Sequence, residues 1–361
     1  MRQALDQAAQ ARLQAPPNPA VGCVIKDDQG QTLGLGHTQC VGGPHAEVMA
    51  LRDAVARGHS TQGATAYVTL EPCSHHGRTG PCCDALVAAG IRKVVASIAD
   101  PNPLVAGNGF ARLRAAGVEV EVGPGAVEAR ELNLGFFSRM VRKTPWVRMK
   151  MAASLDGRTG LANGDSQWIT SLAARADGHA SRARACAVLT GIGTVLKDNP
   201  TLDARLVATP RQPHLVVVDS RLDTPPNAPI FIASRAVYIC ASSQNSINKQ
   251  TLEAAGATVL YLPDRAGRID LQAMLQELAR REINEVHVEA GHTLNGALIQ
   301  AGLVDEFLVY LAPKLIGPGL DMARLLPLAS LSDAVPLSFT SVSLVGPDLR
   351  ITARVSGRDQ F

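Results

Sequence analysis

Apolar positions along this chain switch repeatedly between a period of two and a period of about three and a half, and that alternation lays out its elements. Leu5, Ala8, Ala9 and Leu13 recur at helical spacing over residues 1–14, and Pro16 and Pro17 stop that helix. Residues 21–25 are an apolar run, 27–30 a hairpin turn, and 32–36 the returning strand. Residues 45–57 read as a helix with Val48, Leu51 and Val55 on one face. Strands at 66–70 and 94–98 enclose a helix at 82–89 that Gly90 ends. The pattern predicts a three-layer α/β/α domain closing near Ser138, and the short basic stretch 139–145 reads as a linker.

From Trp146 the character changes. Residues 147–153 alternate as a strand, 171–184 read as a helix, and strands follow at 187–190, 214–219, 236–241, 258–261 and 285–289. Helices at 271–281 and 296–301 are interleaved with them, and three last strands fall near 307–311, 341–345 and 350–355. This predicts a mainly parallel α/β sheet with an antiparallel edge. Two glycine-bearing junctions follow apolar strands, Gly191-Ile192-Gly193 and the run 291–296, which opens a helix. Such junctions offer free N–H groups to phosphate, although neither matches a dinucleotide fingerprint or a P-loop.

Bulk composition narrows the classes. With 361 residues, 46% hydrophobic and 19% charged, the chain is long enough for two packed domains. A net charge of +3 without a basic stripe, and aromatics at only 4%, argue against a surface that tracks nucleic acid. Three of the seven cysteines cluster; Cys23, Cys40, Cys186 and Cys240 are scattered and read as small buried hydrophobes, so a reducing, cytoplasmic setting is expected. The first ten residues lack the apolar core of a signal peptide, and no stretch is long enough to span a bilayer.

The chemistry concentrates in His45-Ala46-Glu47, Glu71-Pro72-Cys73 and Pro81-Cys82-Cys83. One imidazole and two thiolates fill three positions of a tetrahedral zinc and leave the fourth for water, while Glu47 stands two residues from the histidine as general acid/base. This is the pattern of a hydrolytic base deaminase. The usual Cys-x-x-Cys is stretched here by residues 74–81, which contain His75 and His76 as alternative ligands, and Cys83 is a second candidate for the third position. A closed structural site using Cys83 as well would leave Glu47 without a role.

Longer blocks carry a resemblance. Residues 69–83 (TLEPCSHHGRTGPCC), Asn18-Pro-Ala-Val-Gly22, residues 100–107 (DPNPLVAG), 133–137, 150–157 (KMAASLDG), 166–170, 194–202 and Glu289-Ala-Gly291 resemble, in order and over essentially the whole chain, the bifunctional deaminase–reductases of bacterial riboflavin biosynthesis. The resemblance implies a cytidine-deaminase-like α/β/α sandwich over residues 1–140 and a dihydrofolate-reductase-like α/β domain over 145–361. It implies hydrolytic deamination of a diamino-(5-phosphoribosylamino)pyrimidinone, then NADPH-dependent reduction of its ribosyl chain to ribityl. Zinc would sit on His45, Cys73 and Cys82 with Glu47 catalytic, and Asn18, Arg78, Asp100 and Asn102 would hold the substrate. In the second half, Ala152, Trp168, Thr194, Asp198, Gly291, His292, Thr293, Leu294, Asn295, Gly296 and Ala297 would contact NADPH. Lys150, Ser166, Arg182, Leu202, Arg205 and Glu289 would contact the substrate, with Arg182 and Arg205 suited to its phosphate. Asn199 stands where relatives can carry a second acid, and His292 and Asn295 where smaller or imino residues are familiar. The expected partners are a small phosphorylated pyrimidine and further copies of the chain, with no nucleic acid and no membrane. The competing enzyme reading is a single-function nucleotide deaminase whose second domain only binds ligand or oligomerises.

Overall fold

The computed structural model describes residues 1–75, 80–102 and 106–361. The chain divides into two compact units, Met1–Lys143 with Phe361, and Thr144–Gln360.

In the first unit the elements are helix α1 (Arg2–Ala11), strands β1 (Gly22–Lys26) and β2 (Thr32–His37), helix α2 (Ala46–Ala56), strand β3 (Thr65–Val68), helix α3 (Cys82–Ala88), strand β4 (Lys93–Ala96), helix α4 (Asn108–Ala115), strand β5 (Glu119–Val122) and helices α5 (Ala126–Leu132) and α6 (Leu134–Arg142). The strands pair in the order β2-β1-β3-β4-β5, antiparallel around β1 and parallel from β3 to β5. Glycines decide how the layers stack. A Cβ on Gly22 would lie 1.9 Å from Ala4 O, so α1 rests directly on that face. A Cβ on Gly34 would lie 2.1 Å from Ala50 O, and one on Gly36 2.3 Å from Ala50 N. Gly34 and Gly36 oppose Ile25 and Cys23, on the face away from Gly22, so α2 covers the other side and the three layers follow.

Three expectations change here. The core side of α2 is Ala46, Glu47, Ala50 and Ala54, whereas Val55 is 74% exposed. Only small side chains fit where helix and strand backbones approach this closely, so the larger apolar residues lie to the sides, Leu51 partly buried against the core and Val55 in solvent. The stretch 139–145 is not a free linker, because Arg139–Arg142 complete α6, whose buried face includes Phe136 and Phe137. Cys40 is exposed, while Cys23, Cys186 and Cys240 are buried as expected.

The second unit runs through strands β6 (Trp146–Ser154) and β7 (Arg158–Leu161), helix α7 (Leu172–Arg184), strand β8 (Ala187–Gly191), helix α8 (Ile192–Asp198), strands β9 (His214–Val218) and β10 (Val237–Ala241), helix α9 (Ser246–Ala254), strand β11 (Ala257–Tyr261), helix α10 (Leu271–Arg280), strand β12 (Glu285–Val288), helix α11 (His292–Gln300) and strands β13 (Glu306–Ala312), β14 (Gly319–Asp321), β15 (Leu337–Val345) and β16 (Asp348–Val355). Its main sheet has the order β11-β10-β9-β8-β12-β6-β13-β16-β15, parallel except for the antiparallel β16 and β15. The chain winds outward from β8 to β11 and then returns to insert β12 between β8 and β6. That reversal opens a crevice at the carboxyl ends of β8 and β12, where open α/β sheets take ligands. Both glycine junctions are helix starts: Gly191 and Gly291 are extended N-caps with φ of −104° and −74°. Helix α11 therefore begins at His292, before the position 296 expected from the pattern. No helix among the described residues is long and apolar enough to cross a membrane.

Replacing Gly36 by Val should drive the new side chain into α2 and cost at least ~2–3 kcal/mol. Gly30→Ala, at φ 82° with open space around it, should cost only about 1 kcal/mol. Thermal unfolding of the two variants checks this ordering.

Candidate active sites

Helix geometry brings the first site together. His45 is the N-cap of α2 and Glu47 lies in its first turn, while Cys82 opens α3 after Pro81. Cys73 reaches the same point from the loop after β3, and its Sγ accepts the Cys82 N–H at 3.3 Å. His45 Nδ1 lies 3.6 Å from Cys73 Sγ and 3.4 Å from Cys82 Sγ. A tetrahedral zinc with Zn–S near 2.3 Å and Zn–N near 2.0–2.1 Å holds its ligands about 3.6 Å apart, so the donor set fits. These three are the metal-ligand cluster found among the described residues.

Cys83 is excluded by direction. Its thiol faces Pro72 O at 3.2 Å and Gly109 O at 3.5 Å, and burial pushes it up to about 12. A closed shell of His45, Cys73, Cys82 and Cys83 is therefore not built, and the fourth position stays available to water. His76 and Arg78 lie outside the described residues.

Charge is balanced for a cation. Hydrogen bonds from Cys82 and His45 hold the Cys73 thiol near 4, as a thiolate. That same bond to Cys73, with burial and the Glu47 charge, drives the Cys82 thiol strongly upward. The pair thus holds one negative charge, and a dication is what lets both ionise. Glu47 is 3% exposed and hydrogen-bonded to Cys82; burial, then the Cys73 charge, lifts its carboxyl to about 7.

Glu71 is a residue whose role the sequence reading missed. Its buried carboxylate accepts N–H groups from Asp100 (3.1 Å), Gly107 (2.9 Å), Gly109 (2.9 Å) and Phe110 (3.3 Å). It thereby satisfies the first turn of α4 and ties Asp100, next to Asn102 in the chain, to a residue two positions before Cys73. The signal available was an acid in an apolar Thr-Leu-Glu-Pro-Cys run, where a buried carboxylate needs donors. Asp100 is buried and accepts the Asn102 N–H at 2.7 Å; burial, with the Glu71 and Cys73 charges, raises its carboxyl to about 7. Asn18 lies in the turn after α1, half-buried, with its N–H on Ala15 O.

The second unit holds a cleft of about 1800 Å³ at the crevice between β8 and β12. Lys150, Ala152, Ser166, Trp168, Arg182, Thr194, Asp198, Leu202, Arg205 and Glu289 all line it, as do Gly291–Asn295 and Ala297. Gly296 does not: a Cβ there would lie 2.1 Å from Arg324 O, so this glycine seats α11 against the following segment. Trp168 is 64% exposed on the cleft with the Arg175 guanidinium 4.0 Å over its ring. Asn199 takes the left-handed C-cap of α8 (φ 41°), a conformation asparagine tolerates. Gly193 and Gly291 have open space where a Cβ would stand, which leaves the starts of α8 and α11 accessible to an anion. Ser220 also lines the cleft and was not foreseen.

Arg182 and Arg205 differ. Arg182 forks onto both oxygens of Glu289 and donates to Asp203 O at 3.0 Å, so its charge is spent within the protein. Burial opposes ionisation of Glu289, yet the Arg182 guanidinium holds it well below the usual carboxylate range. Arg205 pairs with Asp203 at 2.6 Å and stays half-exposed. Burial and the two arginines pull His179 down to about 4, so it is neutral and its Nδ1 accepts the Arg205 N–H at 3.2 Å.

A three-cornered zinc site with a buried acid, joined in one chain to an α/β cleft with open helix starts, defines a zinc-dependent deaminase linked to a reductase. The first 98 residues match the cytidine and deoxycytidylate deaminase zinc-binding region, and residues 145–351 match the RibD C-terminal domain. The chain is 46% identical over 362 residues to the riboflavin biosynthesis protein RibD of Escherichia coli, covering 97% of this chain and 96% of that one. It is 39% identical over 351 residues to RibD of Aquifex aeolicus, covering 97% and 96%. Among solved structures, a form of Acinetobacter baumannii RibD superposes with a TM-score of 0.89 at 40% identity, covering 98% and 97%. The chain belongs to the RibD family of bifunctional riboflavin-biosynthesis enzymes.

Cys82→Ser should strip zinc from the protein, while Cys83→Ser should keep close to one zinc per chain after dialysis, as metal analysis would show. Glu71→Gln should lower stability by about 1.5–3 kcal/mol, the range for hydrogen bonds to a charged group, and leave zinc content unchanged.

Proposed function

We propose that residues 1–140 deaminate 2,5-diamino-6-(5-phosphoribosylamino)pyrimidin-4-one and residues 145–361 reduce the ribosyl side chain of the product to ribityl. The observation that carries the reading is the 3.4–3.6 Å spacing of His45, Cys73 and Cys82 beside the buried Glu47. Zinc on these three ligands supplies the acidity that lowers a water's pKa from about 15.7 towards neutrality. Glu47 carries one proton of the attacking water to the ring nitrogen and the second to the 2-amino group, so the water's oxygen stays on the ring as the carbonyl and the amine departs as ammonia. Asp100 and Asn102, held by Glu71, orient the pyrimidine, with Asn18 and Arg78 completing its contacts.

In the reductase half NADPH supplies the hydride. The starts of α8 and α11, with Thr194, Asp198 and the residues from Gly291 to Ala297, hold its phosphates and ribose, and Ala152 and Trp168 flank the nicotinamide. Ser166, Leu202 and the half-exposed Arg205 take the phosphoribosyl group. Arg182 acts by fixing Glu289, which with Lys150 faces the sugar. Burial pulls the Lys150 ammonium below its ordinary value. Placement of the two reacting carbons dominates a hydride transfer. The enzyme works in the cytoplasm as a homo-oligomer and needs no nucleic acid.

Mass spectrometry of the product with and without NADPH tests both halves. The amino-to-carbonyl change should appear without NADPH, and two further hydrogens only with it. Glu47→Gln should cut ammonia release by at least about 10²–10⁴-fold while zinc stays bound. Full ammonia release by that variant would defeat the assignment.

A further inference from the structure

Strand β6 brings Lys150 to the reductase cleft, and the strand beside it supplies what lies against that lysine. Lys150 and Ala152 pair with Leu308 and Tyr310 of β13, so these four share one face of the sheet. The intervening Met151 and Val309 turn to the opposite face, into the cluster that holds Leu275 of α10 and Leu298 of α11. Helix α7 covers the first face, where its Ala174 packs with Leu308 and Tyr310. Asp177 and Ser181 follow Ala174 at helical spacing, on the same side.

Tyr310 is fully buried. Its hydroxyl donates to Asp177 Oδ2 at 2.5 Å and is also hydrogen-bonded to Ser181. Asp177 is held in turn by Arg350 of β16, whose Nη1 lies 3.2 and 3.3 Å from its two oxygens. With its tip bonded in this way, the ring has a fixed orientation.

The Lys150 ammonium stands 6.0 Å from the centroid of that ring. Among the described residues no hydrogen bond holds it. Glu289 attracts it, but Arg182 already forks onto both oxygens of that carboxylate and itself repels the lysine. Arg148, two positions back on β6, is paired with Glu285 and Glu306, and His179 of α7 is neutral. Asp177 lies at the hydroxyl end of the tyrosine and has Arg350 as its counter-charge. The negative face of an aromatic ring attracts a cation within about 6 Å, more strongly where water is excluded. A buried tyrosine with a satisfied hydroxyl is ordinarily a packing residue; the unbonded ammonium over its ring gives this one a second role.

We propose that Tyr310 is a positioning residue of the reductase: its ring, anchored through Asp177 and Arg350, holds the Lys150 ammonium beside Glu289 at the sugar end of the cleft. The proposal rests on the reductase reading above. The ring attracts only the charged form of the lysine, so its loss should lower the pH at which Lys150 gives up its proton. Reduction should then fail at a lower pH than in the unaltered protein.

Two readouts on the full-length chain test this. Labelling with acetic anhydride over a series of pH values, with the Lys150 peptide followed by mass spectrometry, gives the titration midpoint of that amine. The pH profile of NADPH-dependent reduction gives the alkaline limb. Tyr310→Leu should lower both by about one unit, a tenfold loss of proton affinity, and cut the reductase kcat at least ~10-fold. The KM for NADPH and the rate of ammonia release should not change. Tyr310→Phe should keep the midpoint. Trifluorinated phenylalanine at position 310 has nearly the same shape but a flattened ring quadrupole, and should lower the midpoint relative to phenylalanine even if the leucine variant folds poorly. In a Lys150→Gln background Tyr310→Leu should bring no further loss of reduction, whereas a packing residue would still add its own cost. A midpoint that does not move from phenylalanine to its fluorinated form overturns the proposal, as does full additivity of the two substitutions. If the unaltered protein reduces nothing, the reductase reading falls, while the Lys150 midpoints still decide the contact.

Discussion

The contact between α2 and the glycines of β2 is the constraint on which the deaminase site depends. Gly34 and Gly36 let the alanine face of α2 lie backbone to backbone on the strand. That approach fixes the height of the helix start above the sheet, and the helix start is where His45 and Glu47 are carried. Helix α3 then presents Cys82 from a second start, and Cys73 comes from the loop between. A dication placed there would meet His45, Cys73 and Cys82 at two helix starts, and two thiolates would outweigh the helix dipoles because they carry full charges. Small residues do the positioning, and the reactive ones are attached to them.

Polar burial organises the second unit in a different way. Parallel sheets with both faces covered are ordinarily apolar throughout. Here Arg148, Glu306 and Arg354 are each no more than 6% exposed, and Glu285 joins them at 3.1 Å from Arg148. Alternation along β12 and β6 continues that polar face towards the crevice through His287 to Glu289 and Lys150. The arginines and glutamates of the line are paired with one another, which is the condition for tolerating them. The outcome at the crevice is a carboxylate clamped by Arg182 beside a lysine whose ammonium burial holds below its ordinary value. Rigid, desolvated polar groups of this kind suit the placement of a sugar carbon against a hydride donor.

Much of this could be read in the residues themselves. The ligand types, the acid two residues from His45, the change of character at Trp146 to a mainly parallel sheet, and the antiparallel end are local patterns, and local patterns survive in one dimension. The closing cysteine was ambiguous between Cys82 and Cys83 because adjacent residues at a helix start differ only in direction. Val55 was expected to face inward because periodicity registers apolarity and not how near the backbones come. The pattern starts the helix of this junction at 296 because Gly291 and Gly296 interrupt the run, whereas Gly291 is an extended N-cap and the helix begins at His292.

What the sequence determined alone was the chemistry available: three soft and imidazole ligands, one acid, an α/β frame and blocks that resemble a known family. What tertiary structure decided was which of those groups meet. Glu71 collects N–H groups from residues up to 39 positions away, and Arg182 finds Glu289 across 107. Contacts of that range depend on packing distances and strand register, and these are set by the whole fold and not by any segment of the chain.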